Sequence, residues 1–282
     1  MSIRNFVPEL WSAKIFQELD KSHVLVPLCN RDYEGEISNY GDTVRINAIG
    51  DITIQNYAPN VTSITPQQLS GAQTVLEIDK AKYFAFYIDD VDNAQSKPKL
   101  MGEAMRKAAY ALGDNSDQEV AGLHTQAGAT VASTACTVAL ALTVLSRTAK
   151  TLDEKNVPSQ GRWMAVPPWF HHLLVLNKIL ETEGSVVADP QYTNGFIGRA
   201  YGFDMYVSNN LSTGPKTLFH ESHYALAGTK RAITWADQVV KTEAYRPENS
   251  FSDAVKGLHV YGRKVIDPNA LVRLNIASTS TV

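Results

Sequence analysis

The chain has 282 residues, 44% hydrophobic and 20% charged. That make-up belongs to a folded globular protein and excludes disordered, collagen-like and coiled-coil classes, while the length allows one large domain or two modest ones sharing a core. A net charge of −3 and a pI near 6.2 leave no basic surplus, which excludes a protein that grips nucleic acid by neutralising its phosphates.

The opening run, Met1 to Glu9, has no apolar signal core, which predicts synthesis in the cytosol. Pro8 to Lys21 predicts a short amphipathic helix. Trp11, Ile15 and Leu19 recur at four-residue spacing and Pro8 suits the first turn. Such a stripe needs another surface to cover it. Cys29 and Cys136 sit among small and apolar neighbours and read as two buried free thiols; a disulfide would require their backbones to meet.

Two-residue alternation follows. Val44, Ile46 and Ala48 share one face, and Ile52 and Ile54 resume after Gly50-Asp51. Beyond the polar segment Asn56 to Gly71, alternation returns at Thr74, Leu76 and Ile78 and again at Phe84, Phe86 and Ile88. The pattern predicts one long two-stranded hairpin with a broad tip. Its first limb, Thr43 to Tyr57, would reach roughly 50 Å at about 3.3 Å per residue, whereas a compact body of this chain is only about 35–40 Å across. The hairpin therefore bends, with Gly50 as the natural point, or projects onto a neighbour, because an isolated hairpin leaves open edges.

Asp92 to Ser96 is a polar break, and Pro98 to Ala127 predicts one long helix. Met101, Met105, Ala108 and Leu112 form a line that resumes at Val120, Leu123 and Ala127 after a phase slip at Gly113 to Ser116. Gly128 to Cys136 reads as a hinge between subdomains. Thr130 to Leu145, the longest apolar-leaning run, is too short and polar to span a bilayer. Next come a helix over Ala139 to Asn156 and a buried strand over Trp163 to Val166. A helix from Pro167-Pro168 carries Phe170, Leu173, Leu174, Leu176 and Leu180 and ends near Gly184; Ser185 to Gly195 reads as a loop. Strands are predicted over Met205 to Ser208, Lys216 to His220, Tyr224 to Ala227 and Ala232 to Trp235, which together suggest a small mixed subdomain. Strand character continues from Lys241 to Ile276 with a break at Pro268, and these strands are expected to pair with the hairpin base.

Chemical motifs are sparse. His220-Glu221-Ser222-His223 puts two residues between its histidines where a helical zinc motif has three. His171 and His172 are adjacent on a helix and diverge. Gly195, Gly198 and Gly202 lack the spacing of a dinucleotide loop and read as turns. Asp89, Asp90 and Asp92 could bind a hard cation but suit a solvated strand end beside a helix start. No nucleophile elbow or activated cysteine occurs, and no catalytic, metal-binding or cofactor-binding residue is expected.

Several stretches together resemble the tailed-bacteriophage major capsid proteins, whose fold is shared with encapsulin shells. They are Leu28 to Ile37 (LCNRDYEGEI), Tyr40 to Ile46 (YGDTVRI), Ile78 to Gln95, Gly202 to Leu211 (GFDMYVSNNL) and Val255 to Val265 (VKGLHVYGRKV). The resemblance implies an α+β, HK97-like fold with an N-terminal arm over 1–36 and an extended hairpin loop over 37–90. A spine helix over 91–127 would belong to a peripheral domain, 128–238 would form an axial domain, and strands in 239–282 would complete the peripheral domain. It implies pentamers and hexamers forming an icosahedral shell around double-stranded DNA. A separate scaffolding protein, a portal protein and a decoration protein would be partners, with no membrane association and no enzymatic activity.

Intersubunit contacts are expected from Tyr57, Asn60, Thr62, Gln67 and Gln68 at the loop tip and from Trp11, Ile15 and Leu19 on the arm. Some relatives weld neighbours through a lysine in the extended loop, but Ile46 to Asp79 contains none, so no such cross-link is expected. Only about thirty residues precede the hairpin, which favours a separate scaffold over a cleaved one. Two other readings are an encapsulin-type compartment and a metal-dependent enzyme using His220, His223 and the Asp89 cluster.

Overall fold

A computed structural model describes residues 24–33, 41–49, 52–54, 56, 66, 71–89, 100–176, 196–214, 222–247 and 252–278. In chain order the elements are β1 (Thr43–Ile49), β2 (Gly71–Glu77), β3 (Lys80–Asp89), α1 (Leu100–Ala121), β4 (Ala129–Cys136), α2 (Val138–Glu154) and β5 (Arg162–Val166). They continue with α3 (Pro168–Leu176), β6 (Phe196–Ala200), β7 (Phe203–Val207), β8 (Ser222–Thr229), β9 (Ile233–Tyr245), β10 (Ser252–Val265) and β11 (Leu271–Ser278). The strands form a two-stranded sheet β1-β2, a three-stranded sheet β3-β10-β9 and a six-stranded sheet β4-β11-β8-β5-β7-β6.

The return limb of the predicted hairpin is divided between two sheets. β2 pairs antiparallel with β1, placing Leu76 opposite Val44, whereas β3 pairs with β10. The step between them falls at Ile78 and Asp79, where fully buried Ile78 joins Val44, Ile46, Leu76, Ala236 and Val260 in one cluster. Alternation runs through the step because strands in either sheet have an inner face; a period of two does not say which sheet a strand joins. Phe84 and Phe86 instead pack with Val255 against Met105, Ala109 and Leu112 of α1.

The described part of α1 spans 22 residues, about 33 Å at 1.5 Å per residue. It passes through the predicted phase slip without a break and ends in a 3-10 turn, Gly122–Gln126. Its buried side runs through Met105, Ala109, Leu112, Ser116 and Val120, so the stripe keeps helical spacing but is polar in the middle. Ser116 remains satisfied there, donating from Oγ to the Leu112 carbonyl at 3.0 Å.

The six-stranded sheet holds the larger core. All of β5 is buried, and α2 covers the sheet with Ala141, Val144, Leu145 and Leu152. β6 and β7 are joined by Tyr201-Gly202, with φ of 51° and 80°, the left-handed pair that a two-residue hairpin requires. The predicted hinge at Gly128 to Cys136 is instead β4, parallel to β11. The C-terminal strands also divide. β10 pairs with β9 and, as expected, with β3, the base end of the predicted return limb, whereas β1 and β2 lie on this sheet as a separate pair. β11 joins the six-stranded sheet between β4 and β8; buried Leu271, Val272, Leu274 and Ile276 suit a strand covered on both faces. Cys29 and Cys136 are separate buried thiols.

Candidate assembly surface

The hairpin root is fastened to its own body. Val44, Ile46, Leu76 and Ile78 lie on Ala236 and Val260, with half-buried Tyr33 and Ile266 at the edge. The approach is close at Gly262, where a Cβ would stand 2.5 Å from the Glu77 carbonyl oxygen and 2.6 Å from Ile78 Cδ1; glycine leaves the space in which the root sits. Lys264 then donates from Nζ to the Val75 carbonyl at 2.7 Å. Farther along the limb the cover stops: Ile52 is 67% exposed and Ile54 94%.

The same sheet face is only half used. Val260 lies under the hairpin root, but the other end of the face is open. There Tyr83 stands opposite Leu258, and Ala254 lies between Tyr87 on β3 and Tyr245 on β9. Alternation sends Phe84, Phe86, Val255 and Gly257 to the α1 side and Tyr83, Tyr87 and Leu258 outward. Tyr83 and Tyr87 are 79% and 72% exposed, and Leu258 and Tyr245 are also exposed. Lys256 in their midst pairs with Glu243 at 2.9 Å and lies 5.2 Å over the Tyr245 ring. The Glu243 hydrogen bond and charge push the Lys256 pKa up, keeping it cationic and paired. A depression of about 330 Å³ is lined by Tyr83, Glu243, Lys256, Gly257 and Leu258. The surface is therefore aromatic and apolar around one neutralised pair, suited to burying apolar area and not to attracting a charged ligand.

The segment preceding the hairpin is held along the β9 edge of this sheet and against α1. Asn30 bridges to β9: its N–H donates to the Ile233 carbonyl at 2.8 Å and its carbonyl accepts from Trp235 at 3.0 Å. Asp117 of α1 accepts from the N–H groups of Val24, Leu25 and Val26 at 3.0, 3.0 and 3.4 Å. Burial raises its carboxyl pKa to about 6; the three N–H donors pull it down and neighbouring Asp114 pushes it up.

The expected contact residues Tyr57, Asn60, Thr62, Gln67 and Gln68, with Trp11, Ile15 and Leu19, lie outside the described residues. So do His220, Glu221, Asp90 and Asp92. Of the enzyme reading, His223 and Asp89 are described and belong to different sheets. His223 on β8 accepts from Trp169 Nε1 at 3.2 Å, and Asp89 ends β3 opposite Ser252. No group of three His, Cys, Asp or Glu able to hold a metal occurs among the described residues. None of their helices is long and apolar enough to cross a membrane.

Sequence reasoning missed two features. The outward Tyr83, Tyr87 and Leu258 were legible as the complement of the inward Phe84 and Phe86. Asp117 had no local signal, since its partners lie more than ninety positions away.

A family model described as phage capsid protein matches residues 71–274, well over half of the chain. No curated protein sequence matches. Among solved structures, one from Mycobacterium phage Che8 is 27% identical, covers 97% of this chain and 98% of its own, and has a TM-score of 0.72. The capsid of cyanophage P-SCSP1u is 18% identical over 87% of this chain and 85% of its own, with a TM-score of 0.67. A virus-like particle from Pyrococcus furiosus is 12% identical over 94% and 98%, with a TM-score of 0.57; at such identities the last two likenesses show the fold alone. The chain belongs to the phage capsid protein family, with the HK97-like fold of tailed-phage major capsid proteins, and is a structural component of the virion capsid.

Proposed function

We propose that the chain assembles as pentamers and hexamers into an icosahedral head enclosing double-stranded DNA, and that it performs no catalysis. The observation that carries this reading is the division of the hairpin limb. Its root is buried on its own body, whereas Ile52 and Ile54 just beyond are exposed. Adjacent copies can bury them, and the open face around Tyr83, Tyr87 and Leu258 supplies apolar area of the same kind. The net charge of −3 supports a wall that contains DNA without gripping it. Many weak repeated contacts would let misplaced subunits leave before closure while holding the finished shell.

On this reading 1–36 is an arm and 37–90 an extended loop reaching a neighbour through Tyr57, Asn60, Thr62, Gln67 and Gln68. Residues 91–127 form the spine, 128–238 an axial domain, and 239–282 complete the peripheral domain. Assembly would take place in the host cytoplasm with a separate scaffolding protein and a portal, and the finished shell would be open to a decoration protein. The absence of lysine from Ile46 to Asp79 argues against a lysine weld in the loop. The encapsulin-type alternative is not favoured, because the matching family model is that of phage capsid proteins. Deleting Tyr57 to Gly71 tests the strap: the deleted subunit should fold by circular dichroism yet assemble poorly, and normal shells would refute the role.

A further inference from the structure

The turn Val26–Leu28 has no cap of its own; Leu25 precedes it in a helical conformation with no side-chain cap bond. The donors that a helix start leaves open are met by Asp117. Its Oδ2 accepts from Val24, and its Oδ1 from Leu25 and Val26. Leu25, Val26, Leu28 and Cys29 are buried with Val120 and Ala121 in the main core, so the capped segment itself takes the carboxylate out of water. These donors are neutral N–H groups, which offset only part of the desolvation cost of a charge. The titratable neighbours are Asp114 on the same helix, which disfavours ionisation, and Cys29 on the capped segment; Arg31 acts on Cys29 and pairs with Asp237. Burial, then Asp117, pushes the Cys29 thiol up, with Arg31 opposing. Cys29 therefore stays neutral wherever Asp117 titrates.

If the segment lifts, Asp117 regains water. We infer that Asp117 and the amides of Val24, Leu25 and Val26 form a proton-linked clamp, by which the root of the N-terminal segment closes on α1 with uptake of a proton and opens more readily when the carboxylate ionises. The carboxyl is held at about 6 against an ordinary 3.8. The stabilisation is therefore complete below about pH 4 and is lost as pH rises through about 6, a change on the order of a hundredfold in the closing equilibrium. The clamp sets the hold on the segment that follows residues 1–23, part of the arm expected to touch other copies. It lies within one chain and holds whether or not shells form.

Hydrogen exchange on the full chain tests it, read in a peptide covering 22–30 from pH 4.5 to 8 and corrected for intrinsic exchange, with a peptide over β5 as reference. Protection of 22–30 relative to β5 should fall at least tenfold across the range. In Asp117→Asn, which keeps the shape but cannot titrate, that fall should vanish. Relative protection that is flat or rises with pH in the unsubstituted chain overturns the inference, and this readout alone decides if the variant does not fold. A fall that persists in folded Asp117→Asn overturns it too, because another group would then carry the proton.

Discussion

Lys264 donates from Nζ to the Val75 carbonyl at 2.7 Å, so the end of β10 holds the root of a hairpin far from it in sequence. The bond works with the close contact at Gly262, where two residues of one strand fix the height and direction of the limb. Gly262→Val should push the root off the sheet, because the first obstacle is the Glu77 carbonyl and not a side-chain tip. The expected loss is about 1–3 kcal/mol, and Lys264→Met should cost about 1 kcal/mol. Urea midpoints check both; unchanged midpoints would mean the root is not seated as described.

The open sheet face predicts a different kind of loss. Tyr87→Lys combined with Leu258→Lys alters exposed positions, so stability should stay within about 0.5 kcal/mol of the unsubstituted chain. Sedimentable particles should fall sharply, because two charges would have to be desolvated wherever that face is buried. Unimpaired particle yield in ultracentrifugation would assign the face to open solvent in the shell.

Arg162 carries the opposite signature, stability without surface. Its guanidinium is 4% exposed and bonds to Asp153 Oδ1 at 2.7 Å and the Val157 carbonyl at 2.5 Å, with Nε donating to the Pro158 carbonyl at 2.9 Å. Arg162→Met would leave the buried Val157 carbonyl and the part-buried Pro158 carbonyl without their donor and should destabilise by about 2–4 kcal/mol. Thermal and urea unfolding should both report it; a neutral result would mean water replaces the guanidinium.

Asp117 predicts a pH term in global stability. Its folded pKa lies above its ordinary value, so its stabilising contribution is present below about pH 4 and falls as pH rises through about 6, by up to about 3 kcal/mol. The unfolding free energy of the unsubstituted chain minus that of Asp117→Asn should therefore decline from pH 4 to pH 7. A difference that grows with pH would show that the three N–H bonds outweigh burial.

Much of this architecture is legible in the chain because burial repeats with a local period. The stripe through Met105 and Leu112 marks α1, the pair Pro167-Pro168 opens α3, and alternation marks β1 and β3. Partner choice is not local, which is why Phe84 and Phe86 read as a hairpin limb although they face α1. The hinge expected at Gly128 to Cys136 is a strand because β11, far along the chain, offers it a parallel edge. Asp117 carries no local signal, because the donors that meet this buried carboxylate arrive from the amino-terminal side of the fold. Tyr83 and Tyr87 alternate with Phe84 and Phe86, but nothing in their own segment says that the hairpin root stops short of covering them.

Self-association is the claim on which the functional account stands, and electron microscopy of the purified full chain, alone and with a scaffolding protein encoded beside it, tests it most directly. Closed shells, tubes or ring-shaped capsomers are expected. A chain that stays monomeric at high concentration with and without that scaffold would contradict it.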